Sequence, residues 1–270
     1  MRVALRRAAH QIYDSPVVFH DPVAVPILGL TYAEELERTR FHLHKPFSIG
    51  LRAFLVARSL YAEANLEKAV AAGVKQYVLL GAGLDTFAHR NPHPQLRVFE
   101  VDHPATQAWK RELLQQNGIA TPSSLDYVPV DFERQSLANE LGKAGFNAEA
   151  QVFFAWLGVV PYLTLDAFRA TVKFLSASPV GSGVAMDYGQ PREVLPPLEQ
   201  QGRDSLASRV ELAGEPFQLF FTPSQIANEL RAFRNIQDIG TDEINTLYYS
   251  GRTDQLAARG NSGRILCAWR

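Results

Sequence analysis

A chain of 270 residues, 46% apolar and 20% charged, is too long for a stapled peptide and suits one large α/β domain or two small ones. Its 27 Lys and Arg against 28 Asp and Glu leave a net charge of −1, so no global basic field exists to hold nucleic acid or an anionic membrane. The single cysteine, Cys267, excludes an intrachain disulfide framework and a cysteine-based zinc site, and implies a reducing, cytoplasmic setting.

The N-terminus carries Arg2, Arg6 and Arg7 with no apolar run behind them, which is not the pattern of a secretory signal. Residues 3–12 read as a helix, and Asp21-Pro22 as the start of another, with a carboxylate cap before a first-turn proline. Residues 32–40 form a short charged helix. A long Leu- and Ala-rich helix covers 50–73, with Gly73 as its left-handed cap. No strand is expected up to this point.

Beyond Gly73 short apolar strands alternate with helices. Strands are expected at 76–80, 96–101, 127–130, 152–156 and 180–187, with helices opening near Pro104, Ser136 and Leu165. This rhythm implies a parallel sheet covered on both faces, which takes its ligands at the carboxyl ends of the strands. Residues 191–213 are polar and partly helical, Pro223 opens a helix, and final strands are expected at 235–240 and 264–269. The most apolar run, 152–163, falls far short of the roughly 20 residues that cross a bilayer. The expected layout is one domain over 1–270. A helical cap occupies 1–73, a cofactor-binding core 74–190, and a substrate-side insertion with the last strands 191–270.

The strand ends carry the chemistry. The first closes in Gly81-Ala82-Gly83-Leu84-Asp85-Thr86, where glycine permits close approach to a ligand. A dinucleotide fingerprint would need a third glycine at Thr86, which argues against a pyrophosphate cofactor. The second strand ends in Glu100-Val101-Asp102, and the two acids share a face by alternation. Asp102, 19 residues after Gly83, suits a ribose diol. Asp131-Phe132 follows the third strand and suits an adenine. A G-x-G followed by acids on two successive strands fits S-adenosylmethionine better than NAD. Arg58 interrupts the apolar stripe Leu51, Leu55, Ala62, Leu66, Ala69 of the long helix. A guanidinium there needs a partner, either an internal acid such as Glu100 or a ligand carboxylate.

Taken together, the segments 6–11, 19–22, 57–59, 76–90 (QYVLLGAGLDTFAHR), 98–114 (VFEVDHPATQAWKRELL), 128–132, 153–164 (FFAWLGVVPYLT) and 248–252 resemble the leucine carboxyl methyltransferase family, in its bacterial branch of S-adenosylmethionine-dependent O-methyltransferases. The resemblance covers almost the whole chain. It implies a class I methyltransferase fold, a Rossmann-like seven-stranded sheet with the last strand antiparallel. It also implies that Arg58 holds the methionine carboxylate and that Gly81, Ala82 and Gly83 lie under the methionine. Asp102 would take the ribose, and Asp131 with Phe132 the adenine, with Glu100 beside them. The sequence departs from the family at Leu157, a cofactor-side position where a Glu is frequent and where a contact would fall to the backbone, and in beginning at Met1 inside a helix that the family usually precedes with a Thr or Lys.

The implied reaction moves a methyl group to an oxygen of a small molecule, a carboxylate or a phenolic hydroxyl. Substrate-side candidates are Tyr162 and Tyr188, which follow strands, and Tyr249 and Arg252 in the late insertion. Should a general base be needed, His10, His44, Tyr162 and Tyr188 are the residues to consider, and none is singled out. No metal is expected, since His42-Leu43-His44 lacks carboxylate partners at ligand spacing. Alternatives are a non-catalytic protein that keeps fold and cofactor, and an NAD-dependent oxidoreductase.

Overall fold

The computed structural model describes residues 1–131, 135–212, 214 and 216–270. Helix α1 (Arg2–Tyr13) buries Ala4, Leu5, Ala8 and Ala9 on one face. After α2 (Ala33–Arg40), the helix α3 (Pro46–Ala71) runs for 26 residues. Pro46 opens it, where a missing N–H costs nothing. Gly73, at φ +100°, closes it in a Schellman arrangement: its N–H bonds to Val70 O and that of Val74 to Ala69 O.

The remaining elements, in chain order, are β1 (Gln76–Leu80), β2 (Arg97–Asp102), α4 (Pro104–Gln116), β3 (Leu125–Pro129), α5 (Leu137–Lys143), β4 (Phe153–Trp156), α6 (Leu165–Ser176) and β5 (Gly183–Gly189). They are followed by α7 (Pro197–Glu211), α8 (Pro223–Glu229), β6 (Asn235–Ile239), α9 (Thr241–Tyr248) and β7 (Gly263–Trp269). The strands form one sheet in the order β3-β2-β1-β4-β5-β7-β6. β1 to β5 are parallel, and β7, last in the chain, runs antiparallel to both β5 and β6. All seven expected strands are present within a few residues of their expected positions.

Strand alternation divides the apolar residues between two layers. On one face Tyr77, Leu79, Val98, Phe153, Ala155 and Cys267 pack against Ala57, Tyr61, Leu66 and Ala69 of α3. On the other, Val78, Phe99, Phe154, Trp156 and Met186 meet Phe168, Val172 and Leu175 of α6. Each large side chain sealed here contributes about 1.5–3 kcal/mol. A third cluster joins α1 to Leu84, which follows β1, and to Leu113 and Leu114 of α4. The cap is thereby fixed beside the strand ends.

One expected helix does not form. Asp21-Pro22 leads into a turn and a short 3₁₀ segment, Pro26–Leu28. Asp21 does accept the Val23 N–H at 3.1 Å, as a cap would. Pro26, however, has no N–H to donate to the Pro22 carbonyl, and its ring crowds that position, so the helix cannot continue through it. Among the described residues no helix is long and apolar enough to cross a membrane, and no cluster of His, Cys, Asp and Glu could hold a metal ion.

Candidate functional site

The chain leaves β1 toward β2 and β3 and returns to lay β4 on the opposite side, so the carboxyl ends of β1 and β4 flank a topological switch point. The glycine turn lies here. Gly81 and Gly83 adopt φ of +70° and +51°, conformations that cost glycine little. The turn is pinned to β2: the N–H groups of Gly81 and Ala82 both donate to Val101 O, at 2.9 and 3.1 Å. The Gly83 N–H donates to Asp102 Oδ2 at 2.5 Å. These amides are therefore engaged within the protein, and what the turn presents outward is its bare Cα surface. A Cβ on Gly83 would meet no atom within 4 Å, whereas one on Gly81 would strike Val159 of the loop after β4.

Asp102 is half-buried, with Oδ1 accepting from the His103 N–H at 2.7 Å. Glu100 points into the protein and is 1% exposed. Its Oε2 accepts from Lys110 Nζ at 2.6 Å, while Oε1 is sealed without a partner among the described residues. Burial pushes the Glu100 carboxyl up to about 6, against the opposing pull of the Lys110 ammonium. Lys110 also donates to Asp85 O at 2.5 Å, so it braces the glycine turn from beneath.

Arg58 finds its partner in Asp187, not in Glu100. Its Nη1 donates to Asp187 Oδ2 at 2.9 Å, and Asp187 Oδ1 accepts from the Gly158 N–H at 2.5 Å. This buried carboxylate near the end of β5 ties α3 to the turn after β4. The remaining donors of the Arg58 fork have no hydrogen-bond partner among the described residues, and the side chain is 10% exposed. Gly158 is needed for this approach, because a Cβ there would lie 2.9 Å from the guanidinium nitrogens.

Leu157 is half-buried and packs against the α3-side core. Asp131 is half-buried, its backbone N–H held by Gln135 Oε1 at 2.9 Å; Phe132 lies outside the described residues. The substrate-side candidates are dispersed. Tyr162 is half-buried after β4, tilted against Phe217 with ring centroids 5.2 Å apart. The Tyr188 hydroxyl donates to Asp238 Oδ2 at 2.6 Å, across β7. Burial and that neighbouring carboxylate push its phenol far above the ordinary value. The Tyr249 hydroxyl donates to Ala53 O at 2.7 Å, docking the late insertion on α3. Arg252 pairs with Asp254 and donates to Pro16 O at 2.8 Å.

The sequence reading did not anticipate the polar cluster behind the glycine turn. Thr86, 1% exposed, donates to Asp21 Oδ2 at 2.6 Å and accepts from Arg7 Nη2 at 2.7 Å. Arg7 also pairs with Asp21 and Asp85. Arg90 pairs with Glu63 and lies 4.8 Å from the centre of the Phe19 ring. Thr86, which breaks the dinucleotide fingerprint, thus fastens the N-terminal region to the loop after β1. The sequence signals that touched this cluster were the family-like segments 6–11, 19–22 and 76–90, with no pairing between them.

The glycine turn, a carboxylate at the end of β2 and the free donors of Arg58 suit an adenosyl amino acid. Comparison with known proteins agrees. The leucine carboxyl methyltransferase family model matches residues 1–176. A Bacillus subtilis protein named as a candidate S-adenosyl-L-methionine-dependent methyltransferase, YktD, is 31% identical over 94% of this chain and 92% of its own length. A Mycobacterium ulcerans relative, named in the same terms, is 31% identical over 68% of this chain and 63% of its own. Among solved structures, a candidate methyltransferase from Thermobifida fusca superposes with a TM-score of 0.62 at 18% identity, covering 99% of this chain and 94% of its own. A DUF574 family protein from Streptomyces avermitilis gives 0.59 at 16% identity, over 100% and 97%. The chain belongs to the leucine carboxyl methyltransferase family of S-adenosylmethionine-dependent enzymes.

Proposed function

We propose that this protein transfers the methyl group of S-adenosylmethionine to a carboxylate oxygen of a small molecule. The observation that carries the cofactor half is the meeting of Gly83 with Asp102 at the end of β2, facing open space beside the glycine. Asp102 would accept from the ribose hydroxyls and Arg58 would hold the methionine carboxylate through the donors that Asp187 leaves free. Gly81, Ala82 and Gly83 would lie under the methionine, and Asp131 beside the adenine. When bound, the cofactor supplies an activated methyl on a sulfonium, so the chain's own task is positioning, which is worth up to about 7–11 kcal/mol.

The preference for a carboxylate over a phenol rests on the fate of the candidate bases. A carboxylate is ionised at neutral pH and needs no base, whereas a phenol with a pKa near about 10 does. His10 is fully buried and committed: Nδ1 faces Asp14 Oδ2 at 2.9 Å, and Nε2 accepts the N–H groups of Val18 and Phe19 at 3.2 and 3.3 Å. Tyr188 is committed to Asp238, and His44 is exposed in the turns after α2. Tyr162 lies beside the strand ends with its ring against Phe217.

Calorimetric titration with S-adenosylhomocysteine tests the cofactor half. Asp102→Asn should weaken binding by about 1.5–3 kcal/mol, the range for hydrogen bonds to a charged group. An unchanged dissociation constant in a folded variant removes Asp102 from the site. Transfer of labelled methyl to a panel of acids and phenols tests the acceptor. Products stable to mild alkali would be ethers and would overturn the carboxylate assignment.

A further inference from the structure

The segment from Phe217 to Phe221 is laid like a strap across the ends of β4 and β5. The N–H groups of Gln218 and Leu219 donate to Pro161 O at 2.7 and 3.2 Å, and that of Phe221 to Gly189 O at 3.0 Å. Gln218 Nε2 adds a bond to Tyr162 O at 3.0 Å. The strap brings three half-buried rings together. Tyr162 meets Phe217 at 5.2 Å, and Phe217 meets Phe220 edge-on at 6.1 Å. Phe220 rests on Gly189, where a Cβ would come within 2.9 Å of its ring. Tyr162 lies four positions beyond Gly158, and Gly189, on which Phe220 rests, lies two beyond Asp187, the carboxylate that bears both Arg58 and the Gly158 N–H. This aromatic wall therefore borders the methionine end of the proposed cofactor site.

A cation closes the wall. The Arg203 guanidinium of α7 lies 3.7 Å from the centre of the Phe220 ring, and its Nη1 donates to Gln190 O at 2.8 Å. Its other donors have no partner among the described residues. Glu193, Asp204 and Arg192 all lie close enough to act on it, yet no carboxylate among the described residues pairs with it; Asp204 is taken by Arg192 at 3.0 Å. A guanidinium drawn half out of water onto an aromatic face, with open donors, is arranged to meet an anion borne by a flat molecule.

We propose that Arg203, with Phe220, Phe217 and Tyr162, selects a planar acid as methyl acceptor. The ring would lie along the wall, and an anionic group on the guanidinium would fix its register. An oxygen locked in such an ion pair has its lone pairs engaged and its charge neutralised. The methylated oxygen is then a second group on the same molecule, so the substrate class is a planar aromatic with an anionic handle and a separate acceptor carboxylate.

The inference rests on the methyl-transfer reading, and the test separates the two. The protein is first loaded with S-adenosylhomocysteine, then titrated calorimetrically with terephthalate, its monoamide and its diamide. The diacid and the monoamide should bind at least tenfold more tightly than the diamide. Arg203→Gln should bring all three to the diamide level, and Arg203→Lys should restore part of the preference. Both variants should keep wild-type affinity for S-adenosylhomocysteine and a wild-type melting temperature. Equal binding of diacid and diamide, failure of all three to bind, or indifference of the acids to Arg203→Gln overturns the proposal and leaves the cofactor reading standing. Failure of the wild-type protein to bind S-adenosylhomocysteine overturns both.

Discussion

Asp187 is the residue whose removal should do most damage for its size. It bears the Arg58 guanidinium at 2.9 Å and the Gly158 N–H at 2.5 Å, and its side chain is 8% exposed. With charge centres about 4 Å apart, the attraction is about 4 kcal/mol at an effective dielectric constant of about 20. Stranding one member of a buried pair costs about 3–5 kcal/mol, which agrees. Asp187→Ala also deprives the Gly158 amide of its acceptor, worth about 1–3 kcal/mol where water cannot replace it. Arg58 keeps some access to solvent, so the expected total is about 4 kcal/mol. Asp187→Asn can still accept from Gly158 and should cost about half as much. Urea denaturation of Asp187→Ala, Arg58→Met and the double variant closes a thermodynamic cycle. The double variant should be less destabilised than the sum of the singles, because the stranded charge is gone. Additive effects, or a cost below about 1 kcal/mol for Asp187→Ala, would refute the pairing as a support of the fold.

Thr86→Val preserves shape but removes the hydroxyl shared by Arg7 and Asp21, and should lower stability by about 1.5–3 kcal/mol in urea denaturation. Glu100 binds its proton more tightly folded, at about 6, than at its ordinary value of 4.5, so its contribution to stability declines as pH rises between these values. The difference in unfolding free energy between wild type and Glu100→Gln should therefore shift by about 1.5 kcal/mol in favour of the variant from pH 4.5 to 7, and a pH-independent difference would contradict the burial argument. Cys267 is fully buried and its thiol is pushed up to about 12 by burial, so Ellman's reagent should label it only as fast as the protein unfolds.

Length, composition and the alternation of apolar runs with helices were enough to determine a parallel α/β sheet. Near-continuous apolar strands such as Gln76–Leu80 can be sealed on both faces only in that architecture. The meeting of Gly83 with Asp102 at one sheet edge was legible as well, since Gly83 follows β1, Asp102 ends the neighbouring β2, and the fold places such residues side by side. Local rules misled at Asp21-Pro22, where Pro26 stops the helix that the cap invites. The partnerships of charges were decided by tertiary structure alone. Arg58 lies 129 residues from Asp187, Arg7 lies 79 from Thr86, and Lys110 rather than Arg58 meets Glu100. The same holds for the aromatics: Tyr188 and Tyr249 send their hydroxyls into the protein, while Phe217 meets Tyr162 across more than 50 residues. Periodicity reports which side of its own element a residue occupies. Which distant charge or ring faces it depends on how the elements cross, and that is fixed only when the sheet and its covering helices close around a common core.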